Sequence, residues 1–91
     1  MRAGAEGFFT ADEWQNLVAE YEHACAYCGT IGTLEQDHCV PLDRGGSNWI
    51  SNILPACRVC NARKHLMTEE EFRARLATER AATEQRDVRI N

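Results

Sequence analysis

Ninety-one residues with a net charge of −4 suffice for one domain and leave no room for a second, and a core this small calls for an extra staple such as a metal or disulfides. The charged fraction of 26% is that of ordinary globular protein, and no low-complexity tract appears. No apolar run approaches the roughly 18 residues of a membrane span, and residues 1–7 lack the charged-then-apolar order of a secretory leader. The expectation is a cytoplasmic (intracellular) chain with no membrane partner, in which paired cysteines serve more often as metal ligands than as disulfides.

After a loose lead-in over residues 1–9, Thr10-Ala11-Asp12-Glu13 forms a capping box, with Thr10 at the N-cap and Glu13 at the third helical position. Trp14, Leu17, Val18 and Tyr21 follow on one helical face, which is core packing and predicts a helix over about 11–22. Cys25-Ala26-Tyr27-Cys28-Gly29 is a tight thiol turn, and residues 34–40 form a strand that Pro41 stops. Asp43-Arg44-Gly45-Gly46-Ser47-Asn48 is a loop, within which Asp43 and Arg44 can pair. Trp49 and Ile50 are placed in the core in preference to a wedge against a duplex. Residues 52–56 form a second short strand, where Pro55 implies an edge or an early end. A second thiol turn, Cys57-Arg58-Val59-Cys60, opens a short helix carrying Asn61 and Lys64. Thr68-Glu69-Glu70-Glu71 is another capping box, starting a last helix over about 69–86. The fold class expected is small α+β, a single domain over 1–91 with its core in 25–65 and a helix on either side.

The overall charge argues mildly against a nucleic-acid partner. Its distribution argues the other way. Between His38 and Met67, Arg44, Arg58, Arg63 and Lys64 face Asp43 alone, a local excess of three positive charges. Phosphate contact is local, because salt screens charges beyond about 10 Å.

Two Cys-x-x-Cys pairs, Cys25 with Cys28 and Cys57 with Cys60, each aim two sulfurs at one point. Together they meet the demand of zinc for four soft ligands in a tetrahedron. Disulfides are disfavoured by the compartment, and a thioredoxin-like redox pair lacks its βαβ setting. Four thiolates leave no position for water, so this zinc is structural. Cys39, the odd thiol, is read as a buried apolar residue. The 28 residues between the pairs exceed the usual gap of roughly 15–20. The insertion is therefore where function is sought.

The insertion holds Asp37-His38, Pro41, the Gly-Gly loop and Asn52, and Asn61 follows Cys60 directly. Phosphodiester hydrolysis with one metal needs a base for the attacking water, a cation for the developing charge and a group that orients the base. Histidine supplies a base near neutral pH, and Asp and Asn oxygens suit a hard cation. His65, four residues after Asn61, shares its helix face but is read as a surface residue before a ligand.

In the order and joint spacing of Cys25-x-x-Cys28, Asp37-His38-x-x-Pro41, Gly45-Gly46, Asn52, Cys57-x-x-Cys60-Asn61 and Asn61-x-x-Lys64, the chain resembles the HNH endonuclease family, in its branch with a four-cysteine zinc. The resemblance spans about residues 25–65. It implies a ββα-metal core pinned by the zinc. His38 would be the general base, Asp37 and Asn61 would hold a catalytic Mg2+ or Mn2+, and Asn52 would brace the loop and keep His38 oriented. Lys64, with Arg58, Arg63 and Arg44, would contact the phosphates of DNA. The family's third signature position is often His and is Asn61 here. A Holliday-junction-resolving branch also places Asn directly after the last zinc cysteine, which points to branched DNA. The competing expectations are a catalytically silent zinc module that binds nucleic acid or protein, and an accessory subunit of a phage DNA-packaging or recombination complex. The Ala/Glu/Arg-rich C-terminal segment leaves a dimer or a larger complex open.

Overall fold

The computed structural model describes residues 5–90, with the backbone alone over 84–90. Helix α1 (Ala11–Glu20) starts at the expected box: the Thr10 hydroxyl accepts from the Glu13 amide at 3.0 Å, and the Glu13 carboxylate accepts the Thr10 amide at 2.8 Å. It ends two residues earlier than its apolar stripe suggests. Glu22 and His23 adopt φ of +55° and +60°, a left-handed conformation that a right-handed helix cannot continue through. These two residues turn the chain into the first thiol knuckle.

Strands β1 (Glu35–His38) and β2 (Ile53–Ala56) pair antiparallel, with Asp37 opposite Leu54 and His38 opposite Ile53. Strand β1 stops at His38, not at Val40. The backbone N–H and C=O of Val40 are both engaged by the side-chain amide of Asn52, at 3.0 Å each, so a side chain takes the place of a neighbouring strand. All four residues of β2 are buried. Pro55 fits there because a two-stranded sheet has a free edge on each strand, and its carbonyl accepts the Ala26 amide at 2.9 Å.

Helix α2 (Arg58–Lys64) is capped by a sulfur: Cys57 Sγ accepts the Cys60 amide at 3.4 Å. Helix α3 (Glu69–Ile90) starts at the second capping box, closed by Thr68 and Glu71, and runs four residues beyond the expected end. Cys25, Tyr27, Leu54, Ala56, Cys60 and Phe72 form the core. The Phe72 ring, fully buried, meets the Tyr27 ring edge-on, centroids 5.0 Å apart. This contact ties α3 to the first knuckle. The architecture is thus small α+β: a two-stranded sheet and three helices around a cluster of cysteines. No helix among the described residues is long and apolar enough to cross a membrane.

Trp49 does not join the core. It is 47% exposed, and its ring lies against Gly7 and beside Phe8.

Candidate functional site

The four paired cysteines converge. Their sulfur atoms all lie within 4.8 Å of one another, and Cys28 Sγ is 3.7 Å from Cys57 Sγ. A zinc ion bonded at about 2.3 Å to four sulfurs sets neighbouring ligands about 3.8 Å apart, so the donor set and its spacing fit zinc. Backbone amides already point at two of the sulfurs, Tyr27 N–H at Cys25 and Cys60 N–H at Cys57, both at 3.4 Å. Hydrogen bonding with Thr30 brings the Cys28 thiol down to about 6, whereas burial pushes the Cys60 thiol up. Four thiolates this close repel one another, and a divalent cation is the natural counter-charge. Cys39 stands apart: burial, then the charge of Glu69, raises its thiol to about 11, so it stays neutral at physiological pH.

Beside this cluster lies a cleft of about 250 Å³ whose lining includes Asp37, His38, Asp43, Asn61, Lys64 and His65. Its wall is a two-rung ladder between β1 and α2. Residues two apart on a strand and three apart on a helix each share a face. Accordingly Asn61 donates to Glu35 Oε1 at 2.8 Å, and Lys64 Nζ lies 3.1 Å from Asp37 Oδ1. The other Asp37 oxygen accepts the Tyr27 hydroxyl at 2.6 Å. That bond, after burial, raises the Tyr27 phenol well above its ordinary range. Lys64 also donates to the His38 carbonyl at 2.7 Å. A buried ammonium thus ties together the two residues at the end of β1.

The loop between the strands holds the imidazole of His38. His38 Nε2 is 2.9 Å from Asn48 Oδ1. The base of the loop is clamped by Asn52, whose amide spans the Val40 backbone and also donates to the Ser47 carbonyl at 2.9 Å. Gly46 passes so close to Val40 that a Cβ there would stand 1.7 Å from its carbonyl oxygen, which only glycine permits.

Asp37, His38, Asn61 and Lys64 are therefore gathered at one cleft, with His65 at its edge. His65 is exposed and takes φ +48° as the C-cap of α2. Asn52 lies behind the loop and contacts its backbone, not His38; the polar contact to the imidazole comes from Asn48. The expected phosphate-binding set is redistributed. Lys64 is 1% exposed and bonded to Asp37, so it is a partner of the cleft's carboxylate and not a free cationic arm. Arg44 pairs with both carboxylate oxygens of Glu71, and not with Asp43, while one guanidinium nitrogen of Arg63 lies within 2.8 Å of both Glu79 oxygens. Arg58 is exposed and forms no ion pair among the described residues.

Of the cleft's oxygen donors, the Asn61 carbonyl oxygen is left over by its bond to Glu35, whereas the two Asp37 oxygens are already engaged by Tyr27 and Lys64, and a hard cation would share that carboxylate with them. Magnesium accepts one or two protein ligands when waters and phosphate oxygens complete its shell. Among the described residues only the four cysteines bring three or more metal-ligating side chains together. Three residues of the site escaped the reading of the sequence. Glu35 is signalled by its two-residue spacing from Asp37 on one strand. Asn48 and Tyr27 carry no such signal, because a loop asparagine reads as a turn residue and an aromatic residue between two cysteines reads as core.

A sequence model of HNH endonucleases matches residues 25–77, more than half of the chain. YoqL, an SPbeta prophage-derived protein of Bacillus subtilis (strain 168) assigned by its name to the HNH endonucleases, is 35% identical over an alignment of 71 residues that covers 66% of this chain and 31% of YoqL. The chain thus spans about a third of that relative's length. With the match running through both thiol knuckles and the cleft between them, this chain belongs to the HNH endonuclease family.

Proposed function

We propose that the chain is a metal-dependent DNA endonuclease that hydrolyses phosphodiester bonds with His38 as general base. The observation that carries this reading is the cleft itself: a histidine, a carboxylate and an amide oxygen from two elements, β1 and α2, converge in one cavity beside a four-cysteine cluster suited to zinc. His38 takes the proton of the attacking water. Asp37 and Asn61 would hold a Mg2+ or Mn2+ ion, which would supply charge neutralisation at the phosphate and leaving oxygen. The Lys64 ammonium bonds Asp37 and the His38 carbonyl, so α2 cannot drift away from the end of β1. Zinc on Cys25, Cys28, Cys57 and Cys60 fastens the start of the domain to α2 and keeps the ladder in register. Arg58, exposed and without an ion-pair partner among the described residues, is the cation best placed to meet phosphate, and branched DNA remains the substrate that the Asn61 signature favours.

A second reading has a specific observation behind it. Arg44 and Arg63 are neutralised by Glu71 and Glu79, so this chain has little cationic surface of its own around the cleft. In that reading the grip on DNA comes from a partner, and the chain works as the nuclease subunit of a larger complex.

Plasmid nicking with magnesium or manganese tests the proposal, comparing wild type with His38→Ala after zinc content is shown to be equal. Cutting that needs the divalent ion and vanishes in the variant supports it. Equal cutting by both proteins rules out His38 as the base. No cutting by either, with zinc bound and the fold intact, moves the weight to the subunit reading or to a silent zinc module.

A further inference from the structure

We propose that Asn48 is a positioning residue for His38, and that the segment Glu6–Phe8 is a strap that holds Asn48 in place. The inference rests on the reading of His38 as the base. The contact is 2.9 Å from His38 Nε2 to Asn48 Oδ1. An amide oxygen only accepts hydrogen bonds, so Nε2 must carry the hydrogen, and Nδ1 is left with the lone pair that can take a proton from water. Asn48 thereby selects one tautomer of the imidazole and fixes the rotation of its ring.

Asn48 stands on a loop, and the loop is held from outside. The backbone N–H of Asn48 donates to the backbone carbonyl of Glu6, 2.6 Å apart. Gly7, at φ +95°, packs against the indole of Trp49, where a Cβ would come within 2.6–2.8 Å of three ring atoms. The Phe8 ring adds a tilted contact to the same indole, with centroids 5.9 Å apart. Three successive residues of the lead-in thus meet two successive residues of the loop. Gly7 is fixed twice over, by its left-handed backbone and by the absence of room for a side chain. Residues 6–8 precede the span of 25–77 that matches the family, so a segment outside the shared core completes the environment of the base.

The test reads the tautomer directly, without turnover. In zinc-loaded protein labelled with 15N, the ring nitrogens of His38 are observed at pH 8 for wild type, Asn48→Ala, Asn48→Asp and Gly7→Ala. The expected wild-type signal is a protonated Nε2 and a bare Nδ1. Asn48→Ala gives a mixture of tautomers, and Asn48→Asp restores the wild-type form, because a carboxylate also accepts. Gly7→Ala moves toward the Asn48→Ala spectrum, and the Asn48 amide, protected from hydrogen exchange in wild type, exchanges faster. In nicking assays Asn48→Ala lowers kcat on the order of 10- to 100-fold with little change in KM, as misorientation of a catalytic group does, and Asn48→Asp recovers most of it. A wild-type tautomer in Asn48→Ala overturns the role of Asn48. An Asn48 amide equally protected in a folded Gly7→Ala overturns the strap. If no protein cuts but the tautomer shifts as described, the positioning stands and the nuclease reading is what fails.

Discussion

Lys64 Nζ and Asp37 Oδ1 lie 3.1 Å apart with side chains 1% and 4% exposed, a buried ion pair in the wall of the cleft. Burying two charges costs several kcal/mol each, and the pair is tolerated because it is saturated with further bonds, from Tyr27 to Asp37 and from Lys64 to the His38 carbonyl. Removing one partner is a different matter from replacing both. Lys64→Met leaves a buried carboxylate with only the Tyr27 hydroxyl, and should cost about 3–5 kcal/mol, a large share of the stability of so small a domain. Lys64→Met combined with Asp37→Leu should recover part of that loss. Urea unfolding of zinc-loaded protein measures both. A Lys64→Met variant as stable as wild type would show that the ammonium is dispensable.

The cysteine cluster carries a second expectation. The core beyond it consists of a few side chains, chiefly Tyr27, Leu54, Ala56 and Phe72. Zinc binding by such knuckles supplies about 10 kcal/mol or more of folding free energy near neutral pH. Chelation, or Cys57→Ser, should therefore abolish cooperative unfolding in circular dichroism, and readdition of zinc to the chelated wild type should restore it. A chelated chain that still melts cooperatively at the original temperature would mean that the ββα core stands without its staple.

Asn52 and Gly46 form one device, and their variants should not add. Asn52→Asp sets a carboxylate against the Val40 and Ser47 carbonyls, where the amide NH2 now donates. Each bond lost, at one exposed and one part-buried carbonyl, costs about 0.5–1.5 kcal/mol. Gly46→Ala drives a methyl into the Val40 carbonyl. Both loosen the same turn, so the double variant should lose clearly less than the sum of the singles, with faster hydrogen exchange over residues 40–48 in each. Strict additivity would show that the two residues act separately.

The knuckles, the capping boxes and the two strands were legible in the sequence because each rests on local spacing, whereas the gathering of Asp37 and His38 with Asn61 was legible only through the family resemblance. The capping box at Thr10 needs only four residues, and a Cys-x-x-Cys turn carries its own geometry. Element ends were less legible. The end of α1 depends on the left-handed Glu22 and His23, and the end of β1 depends on Asn52, a residue far along the chain. The fate of the basic residues was not legible at all. Arg44 meets Glu71 and Arg63 meets Glu79 across 27 and 16 residues, and Lys64 finds Asp37 only once α2 packs on β1. Counting charges along a segment cannot foresee partners that the fold brings in from α3. The strap escaped for the same reason: Gly7 and Trp49 meet only in three dimensions.

Those arginine pairs give the last prediction. Glu71 and Glu79 are held below the usual carboxylate range, first by hydrogen bonds from Arg44 and Arg63, so they stay ionised and keep both arginines neutralised from mildly acidic to alkaline pH. For depressed carboxylates this pairing is present above their ordinary value and is lost as pH falls through the lowered one. Both acids are exposed, so their removal should cost little stability. Glu71→Gln with Glu79→Gln should also release Arg75, which shares Glu79, and bring the net charge from −4 to about −2 while freeing the guanidinium groups of Arg44 and Arg63. If both then meet phosphate, the slope of log affinity against log salt should steepen by about 1.8, at roughly 0.9 per phosphate neutralised. Fluorescence anisotropy with labelled duplex and branched DNA in EDTA measures this without cutting. An unchanged slope on both DNAs would place Arg44 and Arg63 off the DNA-binding face and leave phosphate contact to Arg58 or to a partner subunit. A steeper slope on both would mean that the glutamates restrain a cationic surface within the chain itself. A steeper slope on branched DNA alone would mean that the two arginines reach phosphates only where the duplex forks.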